Sequence, residues 1–150
     1  MIRQAKISDS KDILELVNSN AKQGLMLGKS PYQIYRNISN FLVFEDAGKI
    51  VGCARLAVVW KDLAEVCSLA VRKESHGKGI GRALVSACLE QARNLEIPRV
   101  FALTYECAFF AKCGFAEMPR EELSYKVFGE CMKCPKVECC DEHAFAIDLV

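Results

Sequence analysis

Residues 68–85 read Ser68-Leu69-Ala70-Val71-Arg72-Lys73-Glu74-Ser75-His76-Gly77-Lys78-Gly79-Ile80-Gly81-Arg82-Ala83-Leu84-Val85, and this stretch decides the fold. An apolar run ends at Val71, a polar glycine-bearing turn follows, and from Ile80 the apolar positions Leu84, Val85, Cys88, Leu89 and Ala92 recur at helical spacing as far as Leu95. Strand, loop and helix therefore follow one another directly. Glycines at the alternate positions 77, 79 and 81 let successive backbone N–H groups turn toward one point, a cradle for anionic oxygens. The helix beginning near Ile80 adds its own unpaired N–H groups and the positive end of its dipole. Lys78 and Arg82 add charge. The bland alternative is a flexible turn before a helix. A Walker loop needs Gly-Lys-Ser/Thr, which is absent, and a dinucleotide fingerprint needs a differently spaced third glycine inside an N-terminal βαβ unit. Neither fits.

Outward from that stretch, the N-terminal half reads as strands with two helices. Ile2 to Lys6 forms a first strand, and Ser8 caps a helix whose Ile13, Leu14, Leu16 and Val17 share a face. Ser30-Pro31 is an N-cap and first-turn pair for a second short helix to about Ser39. Phe41 to Phe44 and Ile50 to Val59 are the arms of a hairpin turning at Asp46-Ala47-Gly48-Lys49, and Ala64 to Val71 follows a second tight connection. Downstream, Pro98 stops the long helix and Val100 to Leu103 is a short buried strand. Ala108 to Lys112 is a short helix ended by Gly114, Phe115 begins another strand, and Ala144 to Val150 is the last. The order implies an α+β domain, a mixed central sheet with helices on both faces.

At 150 residues the chain is expected to be one domain. It is 51% apolar and 26% charged, with a net charge of +1, so no bulk electrostatic reason points to nucleic acid or a membrane surface as partner. No apolar leader or spanning run is read, and a cytoplasmic location is expected. Of the nine cysteines, those at 53, 67, 88, 107 and 113 sit in apolar segments as small hydrophobes. Cys131, Cys134, Cys139 and Cys140 crowd into ten residues, with His143 close behind. That cluster offers soft ligands for a structural zinc, although the usual second Cys-x-x-Cys pair is missing. The competing reading is reduced thiols packing a C-terminal hairpin.

The glycine loop resembles that of the GNAT acetyltransferases, whose pattern runs Arg or Gln, two residues, Gly, one residue, Gly or Ala, after a strand and into a helix. Here His76, Gly79 and Gly81 occupy those places behind Leu69-Ala70-Val71, His76 being the departure. Phe110-Ala111-Lys112-Cys113-Gly114-Phe115 is similar to the family's aromatic-x-x-x-Gly-Phe helix end. Within the family the chain resembles the N-acetylglutamate synthases in their short form, which lacks an amino-acid-kinase domain. The segments that carry this are Gly24 to Ser30, Val51-Gly52-Cys53-Ala54-Arg55-Leu56, Ala64 to Val71, and Val100-Phe101-Ala102-Leu103-Thr104 with Phe109-Phe110.

The resemblance implies acetyl-CoA as co-substrate, a small-molecule amine as partner and direct attack on the thioester. The acceptor it points to is the α-amino group of L-glutamate, the first step of arginine biosynthesis. Leu69, Ala70 and Val71 would present backbone groups to the pantetheine, and residues His76, Gly77, Lys78, Gly79, Ile80, Gly81 and Arg82 would hold the pyrophosphate. Glu65 matches the glutamate of the synthases and is the expected base, against the bland reading of an edge-strand charge in solvent. The synthase-like positions point to Lys29, where the family usually carries Arg, and to Lys126 as cations for the acceptor's carboxylates, with Arg55 on the neighbouring strand where the family commonly has Ala, although each alone also reads as a surface charge. Phe110 stands where many relatives carry a tyrosine acid, which leaves Tyr105, Cys107 or water to protonate the thiolate. Other small amines and a non-catalytic acyl-CoA or zinc-binding module are the rival readings, and homodimerisation stays open.

Overall fold

The computed structural model describes residues 1–22, 29–123 and 143–149. Among them are strands β1 (Ile2–Gln4), β2 (Phe41–Asp46), β3 (Lys49–Trp60), β4 (Leu63–Val71), β5 (Arg99–Thr104), β6 (Ala116–Met118) and β7 (His143–Asp148). The α-helices are α1 (Ser10–Lys22), α2 (Pro31–Arg36), α3 (Ile80–Asn94) and α4 (Cys107–Lys112). One sheet joins the strands in the order β1-β2-β3-β4-β5-β7-β6. Its first four strands run antiparallel to their neighbours, β4 and β5 are parallel, and β7 returns antiparallel to β5 and β6. The expected mixed sheet with helices on both faces is what forms.

Period-two alternation assigns the faces. Cys53, Phe41, Val43 and Ile50 pack with Ile13, Leu16, Val17 and Ile34, so α1 and α2 cover one face. Ala54, Leu56, Ala64, Val66, Val100 and Ala102 pack with Leu84, Val85, Cys88, Leu89 and Phe110, so α3 and α4 cover the other. Helix α3 lies close on the sheet because Gly52 has no side chain: a Cβ there would sit 3.0 Å from Leu84 Cδ1 and 3.1 Å from Ile80 Cγ2.

The N-terminal boundaries differ from the sequence reading. Ser8 does not cap α1; a 3-10 turn at Ile7–Asp9 comes first, and the helix proper starts at Ser10. The buried Asp9 carboxylate organises this start by accepting the Lys6 N–H at 2.8 Å and both Arg3 amino groups at 2.8 and 3.0 Å. A short polar side chain that can bind its own backbone competes with a regular first turn, and here it wins. Ser30 does cap α2, in a reciprocal box with Gln33, but that helix ends at Arg36 and a 3-10 turn, Ile38–Asn40, follows. Gly114 ends α4 as expected, with φ 94° and Phe115 N–H reaching back to Phe110 at 3.0 Å. No described helix is long and apolar enough to cross a membrane.

Candidate active site

Strands β4 and β5 pair only at Ala64↔Val100 and Glu65↔Phe101. Beyond that point both continue, β4 to Val71 and β5 to Thr104, without further ladder pairs among the described residues. A parallel pair that opens in mid-sheet leaves a row of β4 backbone groups for a ligand carrying amides. Strand β4 also carries a bulge. Cys67 pairs with Arg55 and Ala70 with Cys53, so Ser68 and Leu69 together face Ala54. Ser68 takes φ 54°, a left-handed conformation that a non-glycine residue adopts only where its surroundings impose it. Leu69 and Val71 are half-buried and Ala70 is buried on the α1 side, so the segment offers backbone to the opening.

Past Val71 the chain is tied down before it reaches the glycines. Arg72 donates its N–H to Val51 O and its Nε to Ile50 O, both at 2.8 Å. Its other nitrogens reach Glu15 at 3.2 Å and Asp12 at 3.4 Å on α1. His76 Nε2 lies 2.9 Å from Val71 O, and since a carbonyl only accepts, that nitrogen carries the proton. Gly77 and Gly79 follow at φ 79° and 78°, where an L side chain would be strained, and Gly79 is the N-cap residue of α3. The first-turn N–H groups of α3, at Ile80, Gly81 and Arg82, have no acceptor within the helix and face outward at its positive end. Lys78 and Arg82 are exposed, and neither has an ion-pair partner among the described residues. Together these are the parts of an anion cradle: left-handed glycines, unpaired helix N–H groups and two cations.

The second set of residues lies on the α1–α2 face. Cross-strand partners share a face, and Arg55 pairs with Cys67 while Glu65 pairs with Ala57. Arg55 and Glu65 are thus diagonal neighbours on adjacent strands, Glu65 at the point where β4 and β5 separate. Arg55 is only 7% exposed. Lys29 is half-buried at the entrance to α2, between the two helices that cover this face. Lys126, Cys131, Cys134, Cys139 and Cys140 lie outside the described residues. Tyr105 and Cys107, half-buried, stand where β5 passes into α4.

Phe110 is a core ring, 4% exposed, with edge-on contacts to Phe109 at 5.1 Å and to Phe115 at 5.2 Å. Burial pushes the Cys53 and Cys88 thiols up to about 12, which removes both from thiolate chemistry. Cys113 is also raised by burial, with the Arg82 charge opposing it. No group of three or more His, Cys, Asp or Glu among the described residues is arranged to hold a metal. His143 Nδ1 lies 2.7 Å from Glu117 Oε2.

Two positioning features escaped the sequence reading. Arg72 looks like one more loop cation, yet its guanidinium joins α1 to the loop. The Ser68 bulge has no glycine to announce it.

The sequence profile of the Acetyltransferase (GNAT) family matches residues 12–115. An amino-acid acetyltransferase of Mycobacterium tuberculosis is 39% identical over 133 residues, 87% of this chain and 76% of the relative. An uncharacterised N-acetyltransferase of Chlorobaculum tepidum is 35% identical over 148 residues, 99% and 96% of the two chains. Among solved structures, a Mycobacterium tuberculosis protein in complex with CoA superposes with a TM-score of 0.87 at 32% identity, over 100% of this chain and 99% of the other. The N-acetylglutamate synthase of Neisseria gonorrhoeae, solved with coenzyme A and N-acetyl-glutamate, gives 0.90 at 28% identity, with 100% of this chain on 35% of that one.

Proposed function

The chain belongs to the GNAT acetyltransferase family, and from that membership we propose that it transfers the acetyl group of acetyl-CoA to the α-amino group of L-glutamate. The observation that carries the acetyl-CoA part is the opened β4–β5 pair leading into left-handed Gly77 and Gly79 at the N-terminus of α3. The pyrophosphate is assigned to the loop N–H groups, Lys78 and Arg82, with the exposed His76 ring beside them, and the pantetheine amides to the β4 backbone from Leu69 to Val71.

Glu65 stands at the fork of the two strands. In the proposed reaction it takes a proton from the acceptor's ammonium, directly or through a water. The amine nitrogen then bonds to the acetyl carbon, the C–S bond breaks, and the thiolate takes its proton from Tyr105, Cys107 or water. The amine's second proton leaves to solvent. No acyl-enzyme is formed. Lys29, Arg55 and Lys126 are the cations proposed for the two carboxylates of the acceptor. Cations on this side of the site favour an acidic ligand over a neutral one, because a carboxylate makes charge-assisted hydrogen bonds that a neutral amide does not. We place the reaction in the cytoplasm, and a zinc bound by Cys131, Cys134, Cys139 and Cys140 is a structural adjunct of the same proposal, checked by metal analysis of the purified protein.

The test is CoA release from acetyl-CoA against a panel of amino acids and polyamines, with the product identified by mass spectrometry. Glutamate as the fastest acceptor supports the proposal. A polyamine as the fastest would keep the family and remove the acceptor, and no release with any amine would favour a binding module.

A further inference from the structure

Lys29 is held in place by a residue that sequence reading did not single out. Asn18, half-buried on α1, accepts the Lys29 N–H on Oδ1 at 2.9 Å and donates from Nδ2 to the Lys29 carbonyl at 3.2 Å. One amide side chain thus binds both backbone groups of a single residue, as one rung of an antiparallel ladder would. The next peptide is fixed as well, since Ser30 N–H donates to Gln33 Oε1 at 2.8 Å and Gln33 N–H to Ser30 Oγ at 3.3 Å. Joining α1 to α2 does not require the Asn18 contact, because Ile13, Leu16, Val17 and Ile34 already pack the two helices into one cluster. What Asn18 adds is a fixed φ and ψ at Lys29.

The same helix is referenced to the glycine loop. One to two turns before Asn18, Glu15 and Asp12 hold the Arg72 guanidinium, whose Nε is bound to Ile50 O. Helix α1 therefore carries a contact to the base of the anion cradle and another to the backbone of Lys29, with its apolar face buried on the sheet between them. We infer that Asn18 is a positioning residue for the acceptor: through its bridge to the Lys29 backbone it sets where that cation stands relative to the acetyl donor. The inference rests on the proposed role of Lys29 in binding the acceptor's carboxylate.

A double-mutant cycle tests it, using Asn18→Ala, Lys29→Met and the combination, each with calorimetric acetyl-CoA binding and steady-state kinetics on glutamate. Asn18→Ala raises the glutamate KM about tenfold, the order expected for losing two hydrogen bonds, and leaves acetyl-CoA affinity within about twofold. In the Lys29→Met background the same change adds little, because its effect is exerted through Lys29. Asn18→Asp keeps the acceptor for the Lys29 N–H and loses the donor to its carbonyl, so it falls between wild type and alanine and serves if the alanine variant does not fold. Additive effects on KM, or an Asn18 variant that only lowers the melting temperature, overturn the inference while leaving the role of Lys29 standing. A Lys29→Met variant with unchanged glutamate KM removes that role, and the inference with it.

Discussion

The proposed site has two halves, built from different materials. The donor half, from Val71 through Arg82, is mostly backbone: positive φ at Gly77 and Gly79, a helix N-terminus, and the open edge of β4. The acceptor half is side chains brought together from separate elements, Arg55 on β3, Glu65 on β4 and Lys29 before α2, with their positions set by the sheet register and by α1. Every CoA thioester presents the same pyrophosphate, so a backbone cradle suits it. Acceptors differ in charge and length, and side chains can vary without disturbing the fold that holds them. The donor half should therefore fail all at once when its backbone is altered, whereas the acceptor half should lose rate or selectivity one residue at a time.

Variants at Glu65 and Gly79 probe that contrast most strongly. Glu65→Gln keeps the size and removes proton acceptance, so kcat should fall by roughly 10²–10⁴ with acetyl-CoA affinity unchanged. Stopped-flow or steady-state rates over a range of pH check this, and a wild-type pH–rate profile would return Glu65 to a structural role. Gly79→Asp should do the reverse. Forcing an L residue into the left-handed region costs about 1–2 kcal/mol, and the new carboxylate faces the pyrophosphate. Together they should weaken acetyl-CoA binding by about a hundredfold on calorimetry. Unchanged affinity would move the cofactor away from this loop and dissolve the contrast.

A smaller effect is expected at the start of α1, the helix common to both halves. The Arg3 hydrogen bonds, opposed by burial, hold the Asp9 carboxyl below its ordinary value. A group whose pKa is lowered on folding stabilises the fold above its unfolded value, near 4, and that stability is lost as pH falls through the folded value. Asp9→Asn should therefore reduce unfolding free energy by about 1–3 kcal/mol at neutral pH, and the gap from wild type should close in acid below about pH 4. Denaturant curves at two pH values measure it. A gap that persists in acid would mean that packing at residue 9, and not its charge, anchors the helix.

The same difference in materials explains what could be read from the chain. Alternating glycines between an apolar run and a helical period are local, and φ requirements are written in residue type, so the strand–loop–helix conformation with its left-handed Gly77 and Gly79 was legible. The sheet and its helices followed from periodicity, with errors confined to ends such as Ser8, where the Asp9 side chain redirected the first turn. The Ser68 bulge was not legible, because it arises from register against β3 and not from a residue that favours φ > 0. Arg72 and Asn18 were missed for a related reason. Their partners lie 57 and 11 positions away, and a polar residue on a loop or helix surface gives no sign of which distant group it will meet. Glu65 was named from resemblance and Arg55 as a cation on the neighbouring strand, and only strand pairing put them on one face.

Glutamate and glutamine, compared as acceptors of the wild-type enzyme under saturating acetyl-CoA, test the central claim most directly. The two differ by one charge and almost nothing in size, so the ratio of their kcat/KM values isolates the cations of the acceptor half. A site built for two carboxylates should favour glutamate by about a hundredfold or more, because glutamine forgoes the charge-assisted hydrogen bonds of the second carboxylate. Equal kcat/KM values, or a preference for glutamine, would contradict the account.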